Sequence, residues 1–259
     1  MSKMLIEINE ILDDMKGVKP FDKLEYDFKF KKSDIPSPTI DRIFKPVKET
    51  ISALLKNKNI HVFILKSPAG LGKTYNVIKH LEDNGFKIGT DYMLFSGHIT
   101  PMELYKTIYR HNGLIIIIDD IEDLLSSMVS RDILKTATYS PFNKRITSWR
   151  SSRLRGYPSE FEVISKFILM LNNIPNKEKN KPIVSRAYFY ELDISNKDKI
   201  KFMYEIAEIK KIPIEIVDYI KRKANSNLDF RILEKVAVYY SLGFDWKKQV
   251  DIILKQKLD

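Results

Sequence analysis

Residues 67–74, SPAGLGKT, combine residue types that bind phosphate. Gly70 and Gly72 let the backbone approach a phosphate closely, and the N–H groups of such a loop can surround a pyrophosphate. Lys73 and Thr74 have the spacing of a lysine that reaches the β and γ phosphates and a hydroxyl that binds Mg²⁺. Ser67 replaces the first glycine of this pattern, which a small residue can do if its φ stays negative. The alternative is an ordinary turn between a strand and a helix, with coincidental glycines.

Residues 113–120, GLIIIIDD, form a second motif with chemical potential. A carboxylate at the end of a buried strand needs a partner, such as a metal-bound water. Asp119 therefore suits Mg²⁺, and Asp120 suits a base that polarises the attacking water. The alternative, two acids that cap the next helix, does not explain why four isoleucines bring them to the edge that carries the phosphate loop. The two motifs together predict binding of a nucleotide with Mg²⁺.

Residues 141–158 contain five basic residues and no acid. Aromatic side chains alternate with the basic ones, as a surface that follows a nucleic-acid backbone and stacks on bases requires. Three interpretations stay open: contact with DNA or RNA, contact with a neighbouring subunit, or a solvated loop. The predicted nucleic-acid contacts are Lys144, Arg145, Trp149, Arg150, Arg153 and Arg155.

The elements that must position these residues follow from the apolar pattern. Short apolar runs without polar alternation are typical of buried parallel strands, and helical patterns lie between them. We therefore predict an α/β domain with a parallel sheet of five strands. The predicted strands cover residues 60–67, 92–96, 113–120, 166–173 and 187–192. KRITSW, residues 144–149, could form one strand of an inserted hairpin.

Helical patterns flank this domain on both sides. An amphipathic pattern covers residues 3–15, a lysine-rich arm follows, and a helix is expected from Pro46 to about Leu55. Four more patterns, near 197–210, 213–225, 229–241 and 245–257, predict a small helical bundle. The expected domains are an N-terminal helix and arm (1–45), a nucleotide-binding core (46–194) and a helical lid (195–259).

Composition limits the function classes. The 259 residues include 44 Lys and Arg against 34 Asp and Glu, a net charge of +10 that favours a polyanionic partner. The chain has no cysteine, which excludes disulfides and thiolate metal sites. No stretch reaches the roughly 18 apolar residues of a membrane span, and the N-terminus lacks a signal-peptide pattern. We expect a cytoplasmic protein with no membrane partner.

The order of the motifs resembles that of the AAA+ ATPases over residues 40–240. Residues 67–74 resemble the Walker A motif of this superfamily, and IIIIDD, residues 115–120, resembles Walker B. The resemblance implies a P-loop NTPase sheet of order 5-1-4-3-2 with a C-terminal four-helix lid, and ATP and Mg²⁺ as cofactors. It implies nucleotide contacts from Ser67, Gly70, Leu71, Gly72, Lys73, Thr74 and Tyr75, and metal ligation by Thr74 and Asp119.

Three further stretches resemble catalytic elements of these ATPases. FILMLNNIP resembles the sensor 1 strand, where Asn173, or as the less favoured alternative Asn172, orients the water. PIVSRAYFYEL resembles the segment of the arginine finger, Arg186. SNLDFRILEKV resembles the sensor 2 helix, with Arg231 directed at the phosphates. The implied catalytic residues are Asp120, Asn173, Arg186 and Arg231.

The resemblance also implies assembly. Arg186 would act in trans in a homo-oligomer, for which a hexamer is the expected form; the alternative is an ordinary surface arginine. The expected function is ATP hydrolysis in a ring or spiral that acts on nucleic acid as a loader, remodeller or motor. A protein-remodelling ATPase with a protein partner and a slow nucleotide-gated scaffold are the alternatives. Asp120 departs from the glutamate usual at this position, so slow hydrolysis is possible.

Overall fold

A computed structural model describes residues 37–120, 122–139, 144–152, 154–224 and 228–255. The helix expected at residues 3–15 and nearly all of the arm lie outside the described residues. Seven strands lie within them: β1 (Val62–Lys66), β2 (Tyr92–Ser96), β3 (Ile115–Asp119), β4 (Ile146–Ser148), β5 (Glu160–Glu162), β6 (Lys166–Leu171) and β7 (Tyr188–Glu191).

Five of these strands form the predicted parallel sheet, in the order β2-β3-β6-β1-β7. Numbered along the chain without the hairpin strands, this order is the expected 5-1-4-3-2. The strand ranges agree with the prediction to within about two residues at each end. The fold class is therefore confirmed.

Ten helices lie within the described residues. They are α1 (Pro38–Lys56), α2 (Lys73–Asp83), α3 (Pro101–Arg110), α4 (Glu122–Ser126), α5 (Met128–Thr138), α6 (Lys177–Val184), α7 (Asn196–Lys210), α8 (Ile214–Lys223), α9 (Arg231–Ser241) and α10 (Trp246–Lys255). None of the helices in this part of the chain is long and apolar enough to cross a membrane.

The sheet is covered on both faces because successive side chains of a strand point to opposite sides. Ile116 and Ile118 of β3 belong to a core that includes residues of α3 and α5, whereas Ile115 and Ile117 belong to one that includes α1 and α2. All four isoleucines are buried. This two-sided burial explains why the strand sequences are continuous apolar runs.

Helix α1 corrects one prediction. Its expected start was Pro46, but it begins at Pro38, where the Ser37 hydroxyl accepts a hydrogen bond from the Ile40 N–H (3.1 Å). Pro46 lies inside the helix, a position that usually costs about 3 kcal/mol. The apolar stripe on both sides of the proline is fully buried, which offsets this cost; its members are Phe44, Val47, Ile51 and Leu54. The helix crosses the domain boundary expected at residue 46.

Helices α7 to α10 form the expected bundle around their own apolar core. The bundle also contacts the first helix: Glu205 of α7 accepts hydrogen bonds from the hydroxyls of Ser37 and Thr39, and Arg42 pairs with Asp198 at 2.6 Å. The inserted hairpin is confirmed as the antiparallel pair of β4 and β5. The bundle and the hairpin lie beside the parallel sheet. The carboxyl ends of its five strands all lie at the same edge.

Candidate nucleotide site

The phosphate loop connects β1 to α2 at the carboxyl edge of the sheet. Ser67 is buried, its N–H donates to the Leu171 carbonyl at 2.9 Å, and it is not one of the residues with positive φ. Gly70 and Gly72 have φ of 75° and 78°, the left-handed region that glycine adopts without strain. The serine therefore continues the sheet pairing, and the two glycines make the turn.

Lys73, the first residue of α2, is buried with only 6% of its surface exposed. Its ammonium group donates to the Ser67 carbonyl at 2.7 Å and to Asn172 Oδ1 at 2.6 Å. Burial lowers the pKa of Lys73, while the nearby charges of Asp119 and Asp120 raise it. The cation is thus folded back across its own loop, at the N-terminus of a helix where anions bind favourably.

Thr74 and Asp119 meet at the end of β3. The Thr74 hydroxyl donates to Asp119 Oδ2 at 2.5 Å. Asp119 is buried, and its other oxygen, Oδ1, has no hydrogen-bond partner among the described residues. Burial raises the pKa of this carboxyl. A buried carboxylate oxygen without a partner is costly, so this position fits a cation such as Mg²⁺.

Asp120 has a backbone conformation that few residues adopt. Its φ is 53°, in the left-handed region where aspartate is better tolerated than most residues. The Asp120 N–H donates to the Met170 carbonyl at 3.0 Å, and its Oδ1 accepts from Asn172 Nδ2 at 2.8 Å. Asp120 is exposed at the end of β3. Such strain is often found at functional positions.

The two asparagines after β6 have different environments. Asn172 lies between Lys73 and Asp120 and bonds to both, whereas Asn173 is exposed. The sequence favoured Asn173 for the water-orienting position, and the geometry favours Asn172. Glu122 was missed: its carboxylate accepts the Asn172 N–H at 2.8 Å. Its place three residues after Asp119 was the only signal in the sequence.

Solved structures share this fold. A mutant of RuvB from Thermotoga maritima superposes with a TM-score of 0.53 at 14% identity, over 82% of this chain and 69% of RuvB. A structure of the RuvB Holliday junction branch migration motor from the same organism gives a TM-score of 0.50 at 16% identity, over 83% of this chain and 67% of the other. Domain III of the replication initiation protein DnaA from the same organism gives 0.52 at 13% identity, over 85% and 93%. The chain has the fold of the AAA+ ATPases.

Comparison of the sequence with known proteins gives fewer matches than comparison of the fold. No protein-family model matches the chain. An uncharacterized 36.7 kDa protein in the nrdC-mobD intergenic region of Enterobacteria phage T4 is 26% identical over 166 residues, 58% of this chain and 50% of the phage protein. The match thus spans half of that relative. The structural neighbours, all under 25% identical, show the fold of this chain.

The two arginines expected from the AAA+ resemblance have different surroundings. Arg231 is exposed at the start of α9, and its positive charge helps to lower the pKa of Lys73, which is mainly lowered by burial. Arg186 is exposed in the connection between α6 and β7, with its guanidinium carbon 4.8 Å from the ring centre of Tyr139. Of these two arginines, Arg231 is the one whose charge acts on Lys73.

The basic stretch before β6 divides into surface and interior residues. Lys144, Arg150 and Arg155 are exposed, and Arg153 lies outside the described residues. Arg145 is buried: it donates to the carbonyls of Ala137 and Ser165, both at 2.8 Å, and burial lowers its pKa to about 10. Because its guanidinium binds backbone carbonyls inside the protein, the expectation of nucleic-acid contact is wrong for Arg145.

Trp149 and Tyr157 are half-buried on the side of the hairpin that faces α3. Trp149 packs edge-on against Tyr105 at 5.9 Å between ring centres. Tyr157 accepts a hydrogen bond from Arg110 Nε at 2.7 Å, and Lys106 lies 5.1 Å from its ring centre. Trp149 is thus largely occupied in packing. The cations Lys106 and Arg110, from a different part of the chain, were missed.

Proposed function

We propose that this chain is a Mg²⁺-dependent ATPase that works in an oligomer and acts on nucleic acid. The observation that carries the proposal is the convergence of Lys73, Thr74 and Asp119 at one edge of the sheet. The loop of β1, the buried acid of β3 and the amide of β6 come together there through the parallel strand register. Sites of α/β sheets are built at this edge.

Binding of ATP rests on the phosphate loop. The N–H groups of the loop and of the first turn of α2 provide donors, and the Lys73 ammonium provides a charge. An ammonium that now bonds to Ser67 and Asn172 is available to rotate towards phosphate oxygens. Leu71 lies within the loop and is buried, and Tyr75 directly follows the loop and is exposed.

Thr74 and Asp119 are the residues that would hold the metal. The Oδ1 atom of Asp119, buried without a protein partner, fits an ion or an ion-bound water. Within the described residues no group of three or more His, Cys, Asp or Glu side chains is arranged to bind a metal. Remaining ligands would therefore come from phosphate and water. Bound Mg²⁺ would neutralise charge that develops on the phosphates.

Hydrolysis is assigned to the residues beside the loop. Asp120 takes a proton from the attacking water, and Asn172 holds Asp120 in place through its amide. The other end of the same amide contacts Lys73. Arg231 supplies positive charge from the bundle side, and the exposed Arg186 acts on the nucleotide of a neighbouring subunit.

Nucleic acid is the proposed partner because of charge and of fold. The net charge is +10, and exposed cations at the hairpin include Lys144, Arg150 and Arg155. RuvB and DnaA, which share the fold, are titled as a Holliday junction branch migration motor and a replication initiation protein. A hairpin surface that includes Lys106 and Arg110 of α3 offers a place for the phosphate backbone.

Two measurements test the proposal. Calorimetric titration with Mg-ATP should give binding to the wild type and none to Lys73→Ala. Fluorescence anisotropy with labelled single-stranded and duplex DNA should show that the Arg150→Gln, Arg155→Gln double variant binds more weakly, with a salt slope reduced by about one to two. The control is Lys247→Gln, Lys248→Gln, which removes two exposed charges from the bundle. An equal loss in both double variants would refute the hairpin as the binding surface.

A further inference from the structure

The loop before α9 touches the phosphate loop. The Phe230 N–H donates to the Gly70 carbonyl at 3.3 Å. The Phe230 ring packs edge-on against Phe202 at 4.5 Å and contacts both the core of the sheet domain and the core of the bundle. Phe230 thus connects the bundle directly to the loop that would hold phosphate.

Asp229 fills the space over Gly70. A Cβ atom placed on Gly70 would lie 3.0 Å from Cβ, Cγ and Oδ2 of Asp229, closer than most Cβ contacts in proteins. Gly70 therefore serves two purposes: it takes a positive φ, and it leaves room for the carboxylate. The phosphate loop and the bundle are in contact through this pair of residues.

Asp229 also fixes the start of α9. Its Oδ1 accepts the backbone N–H of Arg231 at 2.7 Å. Side chains of Asp and Asn commonly satisfy such N–H groups at the first turn of a helix, where no carbonyl of the helix is available. Arg231 is the first residue of α9, so this bond holds the backbone position from which the Arg231 side chain extends.

We propose that Asp229 is a positioning residue for Arg231. One oxygen of Asp229 accepts the backbone N–H of Arg231, and the rest of its side chain packs over Gly70. Together these contacts hold the guanidinium of Arg231 beside the phosphate loop. The inference depends on the proposed ATPase activity and on the role of Arg231 in it. Asp229 itself is negative and does not bind phosphate; it acts through Arg231.

Two substitutions separate this role from a general effect of charge. Asp229→Asn keeps the Oδ1 acceptor and the shape that rests on Gly70. Asp229→Ala removes both. A control is Ser195→Ala, which removes another side-chain hydrogen bond to the first turn of a helix: at the start of α7 the Ser195 hydroxyl accepts the Asp198 N–H at 3.1 Å. If the hydrogen bond at the start of the helix contributed only to stability, Ser195→Ala and Asp229→Ala would lower the Tm alike and leave turnover unchanged.

The test is a double-variant cycle on kcat and on the Kd for Mg-ATP. We expect Arg231→Ala and Asp229→Ala each to lower kcat by about tenfold or more, since small displacements of a catalytic group have effects of this size. Asp229→Asn should stay within about twofold of the wild type, and Asp229→Ala combined with Arg231→Ala should equal Arg231→Ala. The Tm of each variant shows that it is folded.

Other outcomes overturn the proposal in distinguishable ways. If Arg231→Ala lowers kcat and Asp229→Ala does not, or if the two losses multiply in the double variant, Asp229 does not act through Arg231. If Arg231→Ala turns over as the wild type does, the role of Arg231 is wrong and Asp229 has nothing to position, although ATP hydrolysis stands. A wild type without turnover above Lys73→Ala refutes the proposed function itself and, with it, the role of Asp229.

Discussion

The Lys73 ammonium lies 2.6 Å from Oδ1 of Asn172. The other end of the same amide donates to Asp120, so one asparagine joins the phosphate-loop cation to the proposed base. The orientation of this amide follows from its partners, because only the oxygen can accept from an ammonium and only the nitrogen can donate to a carboxylate.

Asn172→Ala should lower kcat by about 10²-fold, an effect typical of losing one hydrogen-bond donor in an active site. The Kd for ATP should change little. Asn173→Ala is the matched control, since Asn173 is adjacent and exposed. Steady-state hydrolysis and calorimetric ATP binding measure the two effects. The opposite pattern, a loss in Asn173→Ala alone, would restore the assignment that the sequence favoured.

Asp120→Asn tests the proposed base. Asparagine tolerates the same positive φ and has the same shape, but it cannot take a proton. The expected result is a kcat reduced by 10² to about 10⁴-fold with ATP binding retained. Asp123→Asn is the control: it changes an exposed acid of α4 that pairs with His98, and it should leave kcat unchanged. Near-normal single-turnover hydrolysis in Asp120→Asn would contradict the role.

Arg145→Ala should affect stability more than nucleic-acid binding. The buried guanidinium satisfies the carbonyls of Ala137 and Ser165, so its removal leaves both without this donor. We expect the free energy of unfolding to fall by about 3 kcal/mol in urea denaturation. Arg150→Ala, an exposed position, should stay within about 0.5 kcal/mol of the wild type. Equal stability of both variants would mean that the Arg145 contacts contribute little.

Arg186→Ala should bind ATP normally and lose the turnover that depends on protein concentration. The reason is that a guanidinium supplied by a neighbour stabilises charge on the phosphate, which raises the rate by about 10³-fold or more in GTPases. Arg222→Ala is the control, because Arg222 lies 5.4 Å from the Tyr219 ring centre in a similar cation–π contact on the bundle. Full turnover of Arg186→Ala at concentrations where the protein is assembled would exclude the trans role.

Much of the fold could be predicted from the sequence. Buried parallel strands are apolar on both faces, so β3 and β6 are recognisable as continuous runs, and polar residues mark their carboxyl ends. The start of α1 was missed because Pro46 looks like a first helical residue, whereas burial of Phe44 and Val47 decided the outcome. Local preference was overridden by packing.

The site was predictable only where spacing is fixed. Lys73, Thr74 and Asp119 follow from motifs within one loop or at one strand end, and the structure brings them together. The choice between Asn172 and Asn173 depends on the backbone direction after the strand ends, which composition does not specify. Asp229 is distant in sequence from Gly70, and a run of basic residues does not show that Arg145 is turned inward.

The most direct test of the account is the rate of ATP hydrolysis with Mg²⁺ as a function of protein concentration, for the wild type and Lys73→Ala. We predict that the wild-type rate per subunit rises steeply with concentration, rises further with DNA, and is absent in Lys73→Ala at every concentration. A rate per subunit that does not depend on concentration would contradict assembly-dependent catalysis. Equal rates in the wild type and Lys73→Ala would contradict the nucleotide site itself.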